Sequence, residues 1–415
     1  MGKSKFKFSD LKDIFSPTVI LCLLCLPVYR IVTTCTMLTD KWVTIQALGL
    51  SATNASFITS ALQIVGIFLT MPAGMLLDTT EKKKNVLLLS WVFCVAGVLA
   101  YRFAPTSIRW YLLAQICLKI TSASMTVILM AVIGGLVNPS IRGTAMAIAG
   151  VAGTIGDAYV RPVIVSVYAK SGFAATNNMA IGSIVILGIL IMLLKNKNMV
   201  FKGGRKGQKA SMNPLKAFKG ISAPILWITF ISCFMAIPNS LNGSWLTVAA
   251  DARNVDIVQG FAVSGTIAVV MAVFAGIICD IIDGRIAFGI SFIFGAIGLT
   301  MEGYAATSSM MTIAMAFAAL SGRAAVFGRA ITSKWADVSN IGRISAAMNC
   351  MLALVQFFGE PMIGLTVDNF GYPAAYSLGG VVCIACLAIL IGVVLVQNKK
   401  EKSASMDENV NTANT

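Results

Sequence analysis

Six charged residues lie well inside long apolar runs: Arg30, Lys119, Asp157, Arg161, Arg323 and Glu360. At the centre of a lipid-spanning helix each such charge costs about 2.5–3.5 kcal/mol, so it faces a cavity or a partner. Asp157 and Arg161 are four residues apart, on one face of one helix, and are expected to neutralise each other. Glu360 is expected to pair with one further cation. About two positive charges then stay unmatched in a low-dielectric space, and the chemistry they point to is the binding of an anionic group. The competing reading makes all six interhelical salt bridges. Arg329 and Glu302 sit nearer the ends of their runs and carry less weight.

Bond-breaking chemistry has little to work with. The chain has no histidine, which removes a Ser–His dyad and any metal held through imidazole. Only Asp157 and Glu360 could form a carboxylate pair, and nothing beside them forms a catalytic motif. An enzyme is not expected. All ten cysteines fall in apolar runs, where thiols behave as small hydrophobes. Cys22-x-x-Cys25 and Cys383-x-x-Cys386 are therefore read as packing residues, and no metal or cofactor is expected.

The elements that must hold those charges are helices at lipid depth. A chain of 415 residues that is 57% hydrophobic and 12% charged is no ordinary soluble domain. Twelve apolar runs are long enough to span, from Thr18–Leu38 to Asn178–Leu194 in the first half and from Ala223–Val248 to Ala374–Val396 in the second. The expected fold is all-α: a six-helix bundle over 1–194, a basic linker over 195–222, a second bundle over 223–396 and a disordered tail over 397–415. The first run contains Arg30 and is too long for the apolar core of a cleaved signal.

Charge sets the orientation. The net charge is +15, yet the basic residues gather in alternate loops, and the linker carries eight Lys or Arg with no acidic residue. Under the positive-inside rule both termini and the linker are cytoplasmic, leaving only Lys41, Arg102, Arg109, Lys170 and Arg253 outside. The basic stretches are read as topology signals and contacts to anionic lipid, not as a nucleic-acid surface.

Two loops repeat one pattern. Gly74-Met-Leu-Leu-Asp78 is followed by Lys82, Lys83 and Lys84, and Gly276-Ile-Ile-Cys-Asp280 by Arg285, with Gly and Asp each offset by 202 positions. Pro27 in span 1 parallels Pro238 in span 7, and Gly156-Asp157 in span 5 parallels Gly359-Glu360 in span 11, the last two offset by 203 positions. The duplicated loop resembles the one joining the second and third helices in each half of a major facilitator superfamily transporter. Where that family has a basic residue after the aspartate, this chain has Thr79 and Ile281.

That resemblance implies secondary transport of a small solute by alternating access. Spans 1, 4, 7 and 10 would line the cavity and spans 3, 6, 9 and 12 would face outward. The Gly74, Asp78, Lys82, Lys83 and Gly276, Asp280, Arg285 sets would form a cytoplasmic gate. Arg30, Lys119 and Arg323 then fall on cavity helices, and with Tyr29, Asn239, Asn242 and Trp245 they are the expected substrate site. The Tyr29-Arg30 pair is similar to the organophosphate:phosphate antiporter branch, although span 7 carries no basic residue here. The alternative is a multidrug/proton antiporter, whose span 5 has a proline where Asp157 stands. Charge coupling would use Asp157, Arg161 and Glu360. The expected partners are an anionic solute, lipid, and a coupling proton or counter-anion, for a monomer in the plasma (inner) membrane. Cysteine-accessibility labelling is predicted to place positions 12, 206 and 400 in the cytoplasm and positions 107 and 308 outside; labelling of 206 from outside would refute this topology.

Overall fold

Backbone without water must satisfy its own hydrogen bonds, so apolar runs of this length become helices. A computed structural model of the chain describes residues 12–64, 83–138, 142–196, 199, 222–281, 284–322, 327–328, 331 and 341–413, and among them the regular structure is helical. The helices are α1 (Pro17–Lys41), α2 (52–64), α3 (Lys83–Arg102), α4 (Ile108–Leu136) and α5 (Arg142–Leu193). They continue as α6 (Ala223–Asp251, with irregular turns), α7 (Val258–Ile281), α8 (Gly284–Tyr304), α9 (Ser308–Ser321) and α10 (Ile341–Ala413).

Seven of the described runs are long and apolar enough to cross a membrane. The runs in α5 and α10 measure 46 and 48 residues, about twice what a ~30 Å hydrocarbon core needs at ~1.5 Å per residue. Each is broken once, at Gly172 (φ 72°) and Gly371 (φ 80°), in a conformation that only glycine adopts at little cost. α10 continues past 397 to Ala413.

The outward faces read directly from exposure. α8 shows Ile286, Ile290, Ile293 and Ile297 to its surroundings, and the second limb of α10 shows Val381, Ile384 and Ile391. These stripes have helical spacing and suit contact with lipid. Cys22, Cys25, Cys35, Cys94, Cys117, Cys233, Cys383 and Cys386 are buried.

The sequence repeats become repeated contacts. A Cβ added to Gly156 would lie 2.5 Å from Pro27 Cα, and one added to Gly359 would lie 2.7 Å from Ile237, beside Pro238. Each glycine thus lets one helix close onto the proline-bearing segment of another. At the end that carries residue 84, Lys84 Nζ donates to the Met192 carbonyl and its N–H to Asn196 Oδ1 (2.7 and 2.9 Å), while Arg285 donates to Asn398 Oδ1 (3.0 Å).

At the opposite end the two halves of the chain are bonded together. Asp368 of α10 accepts from the Ala52 and Thr53 amides at the start of α2 (3.0 and 2.8 Å), supplying that helix with its N-terminal partner. Gln46 donates to Asp251 (2.7 Å) and Thr247 to the Leu38 carbonyl (2.9 Å). Deeper, Lys41 is fully buried, 3.8 Å from Asp40 and 3.7 Å from Glu360. It also donates to Thr59 (3.0 Å) and lies 4.8 Å from the Trp245 ring centroid. Placing Lys41 in an outer loop was therefore wrong. α1 runs on through a wider turn at Trp42–Ala47, which carries the lysine inside the protein.

Removing one partner of a buried ion pair is costly because the other charge is stranded. Lys41→Met strands both Asp40 and Glu360 and is expected to cost about 3–5 kcal/mol. Glu360→Gln leaves Lys41 paired with Asp40 and is expected to cost about 1–3 kcal/mol. Thermal melts of the purified variants check the order; Glu360→Gln proving as damaging as Lys41→Met would contradict it.

Candidate functional site

A cavity of about 410 Å³ lies between the two halves of the chain, within the range of small-molecule sites. Its walls come from both halves. α1 contributes Arg30, α5 contributes Asp157 and Arg161, α6 contributes Asn239 and Asn242, and α8 contributes Glu302. Residues of both halves line it, so the cavity is an inter-half space and not a hole in one bundle.

Arg30 is exposed to this space. A Cβ on Gly153 would lie 3.8 Å from Arg30 Nε, so the arginine passes along the glycine face of α5. The guanidinium makes no hydrogen bond or ion pair with a described residue; its charge acts through space on Asp157. Asp157 itself forms the expected pair with Arg161, with Nη2 donating to Oδ2 at 2.8 Å and Nε to Oδ1 at 3.2 Å. Thr34 of α1 also donates to Asp157 (2.7 Å), and Arg161 sits 5.8 Å from the Phe261 ring of α7. The i,i+4 spacing was enough to foresee this pair.

Other expected residues lie elsewhere. Tyr29 is 2% exposed and points into the core, because adjacent positions on a helix face different sides. Trp245 is fully buried and donates to Glu360 Oε2 (3.3 Å), and Ser240 also donates to Glu360. These residues, with Lys41, belong to the closed end and not to the cavity wall. Lys119 is half-buried and acts on Asp40 and Glu360. Asp40 in turn accepts from Tyr111 and Gln115 (both 2.7 Å). Arg323, Gly74, Asp78 and Lys82 lie outside the described residues. Gly276 and Asp280 lie on α7, the Asp280 side chain falling outside the described ones, and Lys83 begins α3.

Glu302 was discounted in the sequence and requires correction. It is 1% exposed and borders the cavity. Distance from a helix end says little about burial once neighbouring helices cover the site. With the Asn242 amide oriented to pair donor with acceptor, its nitrogen donates to both carboxylate oxygens. The described wall therefore carries Arg30 and Arg161 against Asp157 and Glu302. The expected excess of two positive charges is not found among described residues; what remains is one cation without a local counter-ion contact.

No curated protein matches the chain by sequence. Among solved structures, the peptide-transporter-family protein PepTSo superposes with a TM-score of 0.72 at 9% identity, covering 92% of this chain and 98% of that one. A bacterial homologue of the human drug peptide transporters PepT1 and PepT2 gives 0.71 at 15% identity, covering 92% and 98%. The human organic anion transporter MFSD10 (TETRAN) gives 0.58 at 12%, covering 90% and 98%. At these identities the likeness concerns the fold. The family model of the Major Facilitator Superfamily matches residues 22–327 and 258–412, and with its apolar helices this chain is an integral, multi-pass membrane protein belonging to that superfamily.

Proposed function

We propose that the chain is a secondary transporter that moves a small organic solute bearing an anionic group. Two six-helix bundles, 1–194 and 223–396, rock about the cavity, with the linker 195–222 and both termini in the cytoplasm. The observation that carries this reading is Arg30: a guanidinium exposed to an inter-half cavity, with no carboxylate bonded to it among the described residues. A planar guanidinium offers a two-bond fork to a carboxylate, phosphonate or sulfonate. Asn239 and Asn242 stand on the facing wall and supply neutral donors and acceptors for the rest of the solute.

Two structural relatives are consistent with an anionic group: MFSD10 is described as an organic anion transporter, and a peptide transporter has been crystallised with sulfate. Multidrug efflux has less support, because the only aromatic ring on the described wall is Phe261 and the wall carries four charged side chains. Gly74, Asp78, Lys82, Lys83, Gly276, Asp280 and Arg285 are assigned to the cytoplasmic gate, and Lys119 and Arg323 to the electrostatics of the site.

A thermal-shift screen of the purified protein against organic carboxylates, phosphonates, sulfonates, amines and neutral drugs tests the reading, since a ligand that binds the native state raises Tm. The stabilising ligand is expected to be anionic. Losing a charge-assisted bond of about 1.5–3 kcal/mol in Arg30→Gln should weaken its binding roughly ten- to a hundredfold. Arg30→Lys should be impaired as well, because it keeps the charge and loses the fork. Stabilisation by cationic or uncharged ligands alone, or normal anion binding by Arg30→Gln, would overturn the assignment.

A further inference from the structure

Four carboxyl groups among the described residues lie inside the helical body, and three of them have a cation. Asp40 and Glu360 share Lys41, and Asp157 has Arg161. Glu302 differs. No Lys or Arg nitrogen among the described residues lies within ion-pair range of its carboxyl, although the side chain is 1% exposed and borders the cavity.

The groups that face Glu302 direct their hydrogen bonds elsewhere, with Arg253 Nη2 left buried and without a hydrogen-bond partner. Arg253, at the end of α6, acts on the carboxyl only through space. Its Nη1 donates to the Glu302, Gly303 and Ala305 carbonyls (2.7, 2.9 and 3.4 Å) and its Nε to the Ala249 carbonyl (2.8 Å). Tyr376 of α10 donates to the Leu241 carbonyl (3.0 Å). That leaves Asn242 of α6 as the side chain in hydrogen-bond contact with the carboxyl. On the side of α9, the cavity residues Met315 and Ala318 bring no charge.

A buried carboxylate without a cation is strongly disfavoured, and such a group holds a proton instead. The one partner present suits both states. Ionised, Glu302 accepts from the Asn242 NH2; protonated, its O–H donates to Asn242 Oδ1 after the amide turns over. An amide is one of the few side chains that can close the bond either way, whereas a lysine or arginine at this position would hold the carboxylate ionised.

We propose that Glu302 is the proton-binding residue of the transport cavity. In the protonated state the Asn242 amide is turned so that its Oδ1 faces the carboxyl, and the Glu302 O–H donates to that oxygen. When water reaches the carboxyl, the O–H bond breaks, the proton passes to that water, and the resulting carboxylate accepts from the Asn242 NH2 once the amide turns back. The proposal rests on the cavity being the transport site, as argued above, and it adds a proton to the species bound there. It places proton exchange on α8, away from Asp157 and Glu360, each of which has a cation within ion-pair range.

Infrared difference spectroscopy of the full chain in lipid, titrated from acid to alkaline pH, tests this without any solute. Wild-type protein carrying glutamate labelled with 13C at the side-chain carboxyl should show a protonated-carboxyl stretch that shifts with the label. That band should persist above about pH 6, well beyond the ~4.3 of a free glutamate. It should disappear in Glu302→Gln. In Glu302→Asp, which keeps a carboxyl should the glutamine variant fail to fold, the band should lose its sensitivity to the label. Absence of a label-sensitive band above about pH 6 in wild-type protein, or its survival in Glu302→Gln or Glu302→Asp, would overturn the proposal. Such a failure would leave the Arg30 reading standing, because ligand binding at Arg30 does not depend on this band.

Discussion

A lysine ammonium with no solvent exposure must find its counter-charge inside the protein, and one of the two carboxylates that answer Lys41 comes from the other half of the chain. One carboxylate, Asp40, is its neighbour on α1; the other, Glu360, comes from α10 across the interface. The Glu360–Lys41 contact cannot exist unless α1 and α10 are brought together, and the lysine is not stranded if they part, because Asp40 travels with it. The shallower bonds from Gln46, Thr247 and Asp368 reinforce the same end. Arg30 and Glu302 line the cavity from opposite halves of the same chain.

The two halves solve the same packing problem with the same devices and then differ in charge. Gly156 closes on Pro27 and Gly359 on the segment beside Pro238. Next to each glycine stands a carboxylate that accepts a hydroxyl from the proline-bearing helix: Thr34 to Asp157 and Ser240 to Glu360. The countercharges break the symmetry. Asp157 finds Arg161 one turn along its own helix, so its charge is settled locally, whereas Glu360 reaches into the other half. A duplicated scaffold thus supplies one local pair beside the cavity and one pair that bridges the closed end.

Much of this was legible in the sequence for physical reasons. Apolar run length announced the spanning helices, i,i+4 spacing announced Asp157–Arg161, and the repeated Gly-Asp and proline positions announced two related halves. Tertiary placement was not legible. Lys41 follows the end of an apolar run and reads as a loop residue until the continuing turn and the arrival of Glu360 are known. Glu302 sits near the end of α8, and only the helices packed over it reveal that it is buried. Tyr29 adjoins Arg30 in sequence, yet the helical rotation of about 100° per residue turns it into the core. Sequence position gives depth along a helix; it does not give the side of the helix that meets the cavity.

The distance between the halves at the Lys41 end reports directly on the bridge that this buried charge makes. Spin labels at positions 54 and 369, both exposed and on opposite halves beside the Asp368 contact, report that distance by pulsed electron resonance in lipid. With the native Lys41 the distribution is expected to be short and narrow. In Lys41→Gln it should shift toward longer distances, and the charge exchange Lys41→Glu with Glu360→Lys should restore part of the short population. Indistinguishable distributions for the native chain and Lys41→Gln would contradict the claim that this buried charge holds the halves together.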